Sequence, residues 1–345
     1  MRNLRIDVAR GLLMLYIVTV AHGFYWLDIY AGPAKSLILF EMPCIFFLSG
    51  YAYALSARAG ARVDSVPSYL VYLCRRALRI LAPYWLYAAA CLCFLFLKGG
   101  PGLTDSTGAK IATAVAWLNP LEFGQGHTFF VLNAHLWFVA PFLGVTLIMP
   151  VAAWFLRGKP PPLARLMLLG GVLILSADFL VQPELGKTIL SYAVWSVLGY
   201  AACAGGAGLT RGQALLVFGT ACALLAVART LGWVQLDMQA NKFPPNAAFY
   251  LFGVAWFSLW SLAAGSIKDS TLERLRAAAW LRPFIEKGYS IYLWQGLAYV
   301  LARAVGNRVD APLVAVWLLA VLFALLLGMA AAPAEALRLP SSARR

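Results

Sequence analysis

Three ionisable residues lie in or beside the first apolar run of the chain. Asp7 and Arg10 are one helical turn apart, and His22 follows twelve residues after Arg10. Ionisable groups inside a bilayer cost free energy and commonly mark functional sites. Imidazole titrates near neutral pH, so it is suited to remove the proton of an attacking hydroxyl. His22 is therefore the candidate general base; the alternative is a core histidine that hydrogen-bonds between helices.

Arg10 and His22 cannot touch on one straight helix, because twelve residues rise about 18 Å. We expect Arg10 to bind an anionic part of a ligand, or else to anchor the helix at the lipid headgroups. Asp7 is placed to hold the Arg10 guanidinium, and the alternative is an acid that complements the helix dipole. Both residues join His22 as catalytic candidates.

Glu41 is a carboxylate in the predicted second span, two residues before Pro43. A carboxylate at this depth needs a partner or a proton. We expect Glu41 to orient His22 or to bind an acceptor molecule. A structural hydrogen bond between helices remains the alternative.

A dense basic cluster opens the predicted third span and consists of Arg75, Arg76 and Arg79. This spacing places at least two guanidinia on one face of a helix. Guanidinium groups bind phosphates in a fork geometry, so the cluster is a candidate phosphate site. The alternative is charge that faces the lipid headgroups.

The chain as a whole has the composition of a membrane protein: 62% of its 345 residues are hydrophobic and 12% are charged. Apolar runs of about 18 to 22 residues recur, each long enough to cross the hydrocarbon core as a helix. We predict an all-α, polytopic membrane protein with about ten transmembrane helices. The predicted spans are residues 10–27, 36–57, 78–97, 132–156, 165–181, 187–205, 213–233, 246–265, 288–306 and 312–332.

Basic residues set the predicted orientation. With both termini in the cytoplasm, most of the 28 lysines and arginines fall on the inner side, as the positive-inside rule requires. The formal net charge of +14 then reflects topology and contact with membrane lipids, so nucleic-acid binding is not expected. Six cysteines and three histidines show no grouping typical of a disulfide framework or a metal site.

One transmembrane domain is predicted over residues 1–335, followed by a short basic cytoplasmic tail at 336–345. Two polar connections, 98–131 and 235–246, are expected on the outer side, where they would line or cap a substrate cleft. The second contains Lys242, a candidate contact for an acceptor. His127 in the first is expected to be solvated.

Several motifs in order resemble the acyltransferase-3 family of membrane O-acyltransferases. They are Asp7-x-x-Arg10-Gly11 with His22, then Phe46-Phe47-Leu48-Ser49-Gly50-Tyr51, then Arg76-x-x-Arg79-Ile80-x-x-Pro83-Tyr84, then Leu136-Trp137-Phe138 and Tyr289-Ser290-Ile291-Tyr292-Leu293-Trp294. Each string is common alone, but their joint order and spacing over almost the whole chain make the resemblance specific.

The resemblance implies transfer of an acyl group, usually acetyl, from a cytoplasmic coenzyme A thioester to a hydroxyl of an extracytoplasmic glycan or lipid-linked saccharide. It further implies a location in the bacterial inner membrane, acyl-CoA as co-substrate and no permanently bound cofactor. The expected donor residues are Arg75, Arg76, Arg79, Ser49, Gly50, Tyr51 and Tyr84. The expected acceptor residues are His135, Trp137, Lys242, Tyr292 and Gln295.

The chain departs from the family pattern after Leu293-Trp294, where a histidine is frequent and Gln295 stands here. No imidazole is therefore available at that position, and the class of acceptor is left open. Direct transfer and an acyl-enzyme intermediate are both open as well, as is the oligomeric state. A secondary transporter or flippase, with Asp7, Arg10, His22 and Glu41 as a proton or substrate relay, is the alternative function.

Overall fold

The computed structural model describes residues 3–30, 32–61, 63–98, 106–121, 130–158, 160–180, 183–206, 208–235 and 237–337. Within these ranges the chain forms helices and no strand. The predicted all-α membrane architecture is thus confirmed, whereas the number of spans and the side on which the termini lie stay predictions. The α-helices are α1 Leu4–Tyr16, α2 His22–Trp26, α3 Glu41–Arg58, α4 Val66–Lys98, α5 Thr107–Leu118, α6 Phe130–Asn133, α7 Val139–Phe155, α8 Leu163–Phe179, α9 Glu184–Gly205, α10 Arg211–Thr230, α11 Met238–Lys242, α12 Ala247–Ser266, α13 Asp269–Ala277, α14 Arg282–Arg308 and α15 Leu313–Ala331.

Seven helical stretches of the described residues are long and apolar enough to cross a membrane. They are Pro33–Arg58, Val66–Lys98, Val131–Phe155, Glu184–Gly205, Arg211–Thr230, Ala247–Ser266 and Leu313–Glu335. The other three predicted spans correspond to shorter or more polar helices. Helix α8 has 17 residues, α14 carries Glu286 and Lys287, and the first helical stretch carries Arg5, Asp7 and Arg10.

The chain divides into two compact units, which are described separately. Unit 1 comprises Met1–Leu13, Tyr30–Ser65 and Gly144–Ala278, and unit 2 comprises Met14–Ile29, Val66–Leu143 and Ala279–Arg345. The prediction of one domain over residues 1–335 stays a prediction. Of the predicted tail, residues 338–345 lie outside the described part of the chain, as do residues 99–105 and 122–129 of the predicted outer connection 98–131, among them His127.

Unit 1 is built around the packing of α3 on α9. A β-carbon at Gly50 would overlap the Ser196 carbonyl, and one at Gly199 would overlap the Phe47 carbonyl. Small residues of this kind allow two membrane helices to bring their backbones together. The Ser196 hydroxyl also donates to the Phe46 carbonyl at 2.9 Å. The backbones of α3 and α9 are therefore in direct contact at these two glycines.

Unit 2 is built around the packing of α14 on α15. Helix α14 is kinked at Lys287, whose φ of −133° and ψ of 23° are not helical. A kink exposes backbone amides that need other partners. The Ser290 amide donates to a carboxylate oxygen of Glu335 at 2.6 Å. Glu335, from near the end of the described chain, thus satisfies a backbone amide beside the kink.

Candidate active site

A short π-helical segment, Ile17–Ala21, leads directly into His22. Side chains of unit 2 bind its backbone: the Tyr299 phenol donates to the Val18 carbonyl, and the Trp317 indole donates to the Thr19 carbonyl, both at 2.8 Å. Turns of π-helix occur mostly as single turns inside α-helices, and frequently at functional sites. The segment sets the angular position of His22, because an added residue per turn rotates all that follows.

The His22 ring lies in a group of aromatic side chains. It stacks on Trp26 with ring centroids 4.1 Å apart and an interplanar angle of 14°. Its centroid is 5.9 Å from that of Tyr292 and 6.4 Å from that of His135. Two imidazoles that the sequence separates by more than a hundred residues are therefore neighbours.

His135 lies on the 3-10 turn Ala134–Phe138 and is only 1% exposed. Its Nε2 is 2.9 Å from the Leu293 carbonyl oxygen, and its own carbonyl accepts a 2.8 Å hydrogen bond from the Tyr292 phenol. Its ring also faces Trp26 and Tyr87, at centroid distances of 5.5 and 5.6 Å. The imidazole is thus fixed on several sides.

Helix α14 brings further polar atoms into the interior of unit 2. Both side-chain polar atoms of Gln295, the Trp294 indole nitrogen and the Ser290 hydroxyl are buried and have no hydrogen-bond partner among the described residues. Buried polar groups are nearly always satisfied, so such a concentration calls for a ligand or ordered water. Trp137, half-buried, lies on the same 3-10 turn as His135.

The buried carboxylate of Glu41, in unit 1, is paired with Lys242. The Lys242 ammonium is 2.6 Å from Glu41 Oε1. The Lys242 side chain is 6% exposed and the Glu41 side chain is 2% exposed. Glu41 Oε2 is buried without a hydrogen-bond partner among the described residues. Ion pairing with Lys242 answers the question of how a carboxylate is tolerated at this position. A role for Glu41 in orienting His22 stays a prediction.

The segment around Lys242 is anchored within unit 1. The Ser191 hydroxyl donates to the Pro245 carbonyl at 3.2 Å, and the Ala247 amide donates to Asp178 at 2.8 Å. Asp178 is also 2.6 Å from the Lys187 ammonium. The chain that carries Lys242 is therefore held at several points beyond its ion pair.

Asp7 and Arg10 form an ion pair along α1, with 3.4 Å between Asp7 Oδ1 and an Arg10 terminal nitrogen. The Asp7 side chain is 10% exposed and that of Arg10 is 43% exposed. Of the donor candidates in unit 1, Gly50 packs against α9, whereas Ser49 and Tyr51 are half-buried on α3.

The remaining donor candidates lie on α4 in unit 2. Arg75 and Arg79 are exposed, and Arg76 is half-buried with its guanidinium carbon 5.2 Å from the centroid of Phe142. The Tyr84 phenol donates to the Trp117 carbonyl at 2.8 Å. The hydroxyl of Tyr84 thus has a structural partner, whereas two of the arginines face outward.

Sequence reasoning missed the residues that hold the histidines. Trp26 follows His22 by one helical turn, a spacing that the sequence does show, but its ring stacking depends on the fold. Tyr299 and Trp317 act on the backbone before His22 from elements far along the chain. Among the described residues no group of three His, Cys, Asp or Glu side chains lies close enough to hold a metal ion.

Comparison with known proteins supports one family. A family model described as an acyltransferase domain matches residues 3–332 of the chain. No curated protein and no solved structure matches it. The matched range contains the π segment, the histidine pair, the basic cluster on α4 and the Glu41–Lys242 ion pair. The chain is an integral membrane acyltransferase and belongs to the acyltransferase-3 family.

Proposed function

We propose that the protein is an O-acyltransferase that moves an acyl group, in the first place acetyl, from cytoplasmic acyl-CoA to a hydroxyl of an extracytoplasmic glycan or lipid-linked saccharide. The position of His22 is the observation that carries this proposal. A π segment precedes this imidazole, a second imidazole lies beside it, and the chain belongs to an acyltransferase family. We place the protein in the bacterial inner membrane with both termini cytoplasmic.

His22 is the general base of the proposed reaction. It takes the proton of the acceptor hydroxyl while the oxygen attacks the thioester carbonyl. A carbon–oxygen bond forms, the carbon–sulfur bond breaks, and coenzyme A leaves as a thiolate that recovers the proton from the His22 imidazolium. Atoms and charge balance without a metal or a redox partner.

The donor side of the proposal rests on the arginines of α4. Coenzyme A carries a pyrophosphate and a ribose phosphate, which guanidinium groups bind well. Arg75 and Arg79 are exposed on this helix, and Arg76 is half-buried between them in sequence. Ser49, Tyr51 and Tyr84 remain proposed donor contacts. Arg10, held by Asp7, is proposed to orient the thioester.

The acceptor side rests on the polar atoms around α14. Saccharide hydroxyls both donate and accept hydrogen bonds, as does the side-chain amide of Gln295. The buried and unpartnered state of that amide among the described residues favours a ligand contact. Trp137 and Tyr292, which lie beside His135, complete the proposed acceptor set in unit 2, and Lys242 stays a proposed contact in unit 1.

The test uses purified full-length protein in nanodiscs, with radiolabelled acetyl-CoA and a panel of saccharide acceptors. We expect free coenzyme A and labelled ester to appear in equal amounts and only when an acceptor is present. The absence of labelled ester with every acceptor would reject acetyl-CoA as the donor. Movement of a saccharide across proteoliposomes with no release of coenzyme A would favour the transporter or flippase instead.

A further inference from the structure

The distance between the two imidazoles of unit 2 indicates how they interact. The ring centroids of His22 and His135 are 6.4 Å apart, with an interplanar angle of 67°. Facing nitrogens on rings at this distance are at least about 4 Å apart, which exceeds the length of a direct hydrogen bond. One oxygen that hydrogen-bonds to both rings reaches about 5.5 Å between nitrogens. The geometry therefore suits a single bridging water.

The hydrogen on His135 is placed by its partner. The Leu293 carbonyl can only accept, so the Nε2 that lies 2.9 Å from it must carry a hydrogen. In the neutral ring the other nitrogen, Nδ1, then has a lone pair and accepts hydrogen bonds. This atom is buried and has no partner among the described residues. An acceptor of this kind is costly unless a donor reaches it.

The ring of His135 cannot easily turn away from this arrangement. Its Nε2 bond and the bond from the Tyr292 phenol to its carbonyl fix the ring and the backbone. A β-carbon at Gly296 would lie 2.6 Å from His135 Cε1 and 2.7 Å from the Val131 carbonyl oxygen. Glycine at 296 thus allows α14 to approach the ring closely.

Resting on the proposed function, we propose that His135 is a positioning residue whose Nδ1 accepts a hydrogen bond, through one water molecule, from the imidazolium of His22. The imidazolium forms when the acceptor hydroxyl gives up its proton. An acceptor behind a general base stabilises that charge and orients the ring, as the aspartate does in serine hydrolases. His135 keeps its own proton on Nε2 throughout, and His22 returns the transferred proton to the coenzyme A thiolate.

Two substitutions at His135 separate this role from a structural one. In His135→Gln the side-chain amide nitrogen takes the place of Nε2, so the bond to Leu293 is kept and the acceptor is lost. In His135→Asn the amide oxygen takes the place of Nδ1, so the acceptor is kept and the bond to Leu293 is lost. A structural role predicts that the glutamine variant is the better enzyme. The proposal predicts the opposite order.

The measurement is kcat and KM for acetyl-CoA at saturating acceptor, with folding checked by thermal unfolding in detergent. We expect kcat of His135→Gln to fall by at least about 100-fold and KM for acetyl-CoA to stay within about threefold, since general base catalysis contributes 10²–10⁴. We expect kcat of His135→Asn to stay within about tenfold of the unaltered protein. Equal kcat values for the two variants, or a higher kcat for His135→Gln than for His135→Asn, would overturn the proposal.

A second measurement needs no altered His135. Nitrogen NMR of ¹⁵N-histidine-labelled protein, assigned with His22→Gln, should show His135 with hydrogen on Nε2 and none on Nδ1. A proton on Nδ1 would overturn the proposal even if the glutamine variant did not fold. A failure of the proposed function looks different, because the unaltered protein would then release no coenzyme A. Loss of activity in His22→Gln with full activity in His135→Gln would reject only the role of His135.

Discussion

The Tyr299 phenol donates a 2.8 Å hydrogen bond to the Val18 carbonyl, within the π segment that precedes His22. Trp317 does the same for the next carbonyl, that of Thr19. Irregular helical turns are retained where side chains or water satisfy the backbone groups they displace. Two aromatic side chains of unit 2 thus determine where His22 points.

Removal of the Tyr299 hydroxyl should impair catalysis more than folding. In Tyr299→Phe the Val18 carbonyl loses its side-chain donor, a loss of about 1–3 kcal/mol that allows the π segment to relax. We expect kcat to fall by about tenfold. Tyr250→Phe is the matched control, since its phenol donates a 2.7 Å bond to the Met167 carbonyl in unit 1. Similar melting temperatures with equal kcat for both variants would contradict this role of Tyr299.

The Glu41–Lys242 pair should be strongly coupled. Removing one partner leaves a charge buried without its counter-ion, so Glu41→Gln or Lys242→Met should each lower the free energy of unfolding by about 3–5 kcal/mol. The double variant Glu41→Gln with Lys242→Met should recover part of that loss. Chemical unfolding in mixed micelles measures the cycle.

The exposed pair Arg282–Glu286 provides the control for that cycle, because its side chains are 68% and 40% exposed. Exposed ion pairs contribute about 0–1 kcal/mol. Strictly additive effects at Glu41 and Lys242 would show that the two charges do not depend on one another.

Two roles are proposed for Gly50: packing of α3 against α9, and binding of the acyl-CoA donor. A β-carbon there would overlap the Ser196 carbonyl, and backbone cannot move aside as a flexible side chain can. We expect Gly50→Ala and Gly199→Ala to lower the melting temperature sharply. Gly219→Ala on α10 is the control, because nothing lies within 4 Å of a β-carbon built at Gly219. A stable Gly50→Ala variant with a raised KM for acyl-CoA would instead indicate donor binding.

The exposed arginines of α4 should act on donor affinity. A charge-assisted bond to a phosphate contributes about 1.5–3 kcal/mol, so Arg75→Gln or Arg79→Gln should raise KM for acyl-CoA by about tenfold or more at unchanged kcat. Arg211→Gln, at the start of α10, is the control for an exposed arginine outside the cluster. Unchanged KM in both α4 variants would assign these charges to membrane topology alone.

The helices were largely predictable, because hydropathy over about 20 residues reports burial in a bilayer directly. Seven of the predicted spans meet the length and composition that a membrane crossing requires. The kink at Lys287 and the π segment at Ile17–Ala21 were not predicted, since each depends on partners distant in sequence. Glu335 satisfies the first and Tyr299 the second.

The residues of the candidate site could be predicted from the sequence, but which of them contact one another could not. Residue type and depth identified His22 and Glu41 as groups that could do chemistry, whereas Lys242 was predicted only as an acceptor contact in the polar connection 235–246. Sequence spacing predicts neighbours only within a helix, as for Asp7 and Arg10. The pairing of Glu41 with Lys242 and the approach of His135 to His22 are set by tertiary packing.

The role of His22 as general base is tested most directly by measuring acyl transfer by His22→Gln beside the unaltered protein. Both would be purified in nanodiscs, matched for folded fraction, and given acetyl-CoA with the saccharide acceptor that the unaltered protein uses. We expect the substitution to lower kcat by about 10²–10⁴ and to leave KM for acetyl-CoA nearly unchanged. Transfer by the folded variant at the unaltered rate would contradict this role of His22.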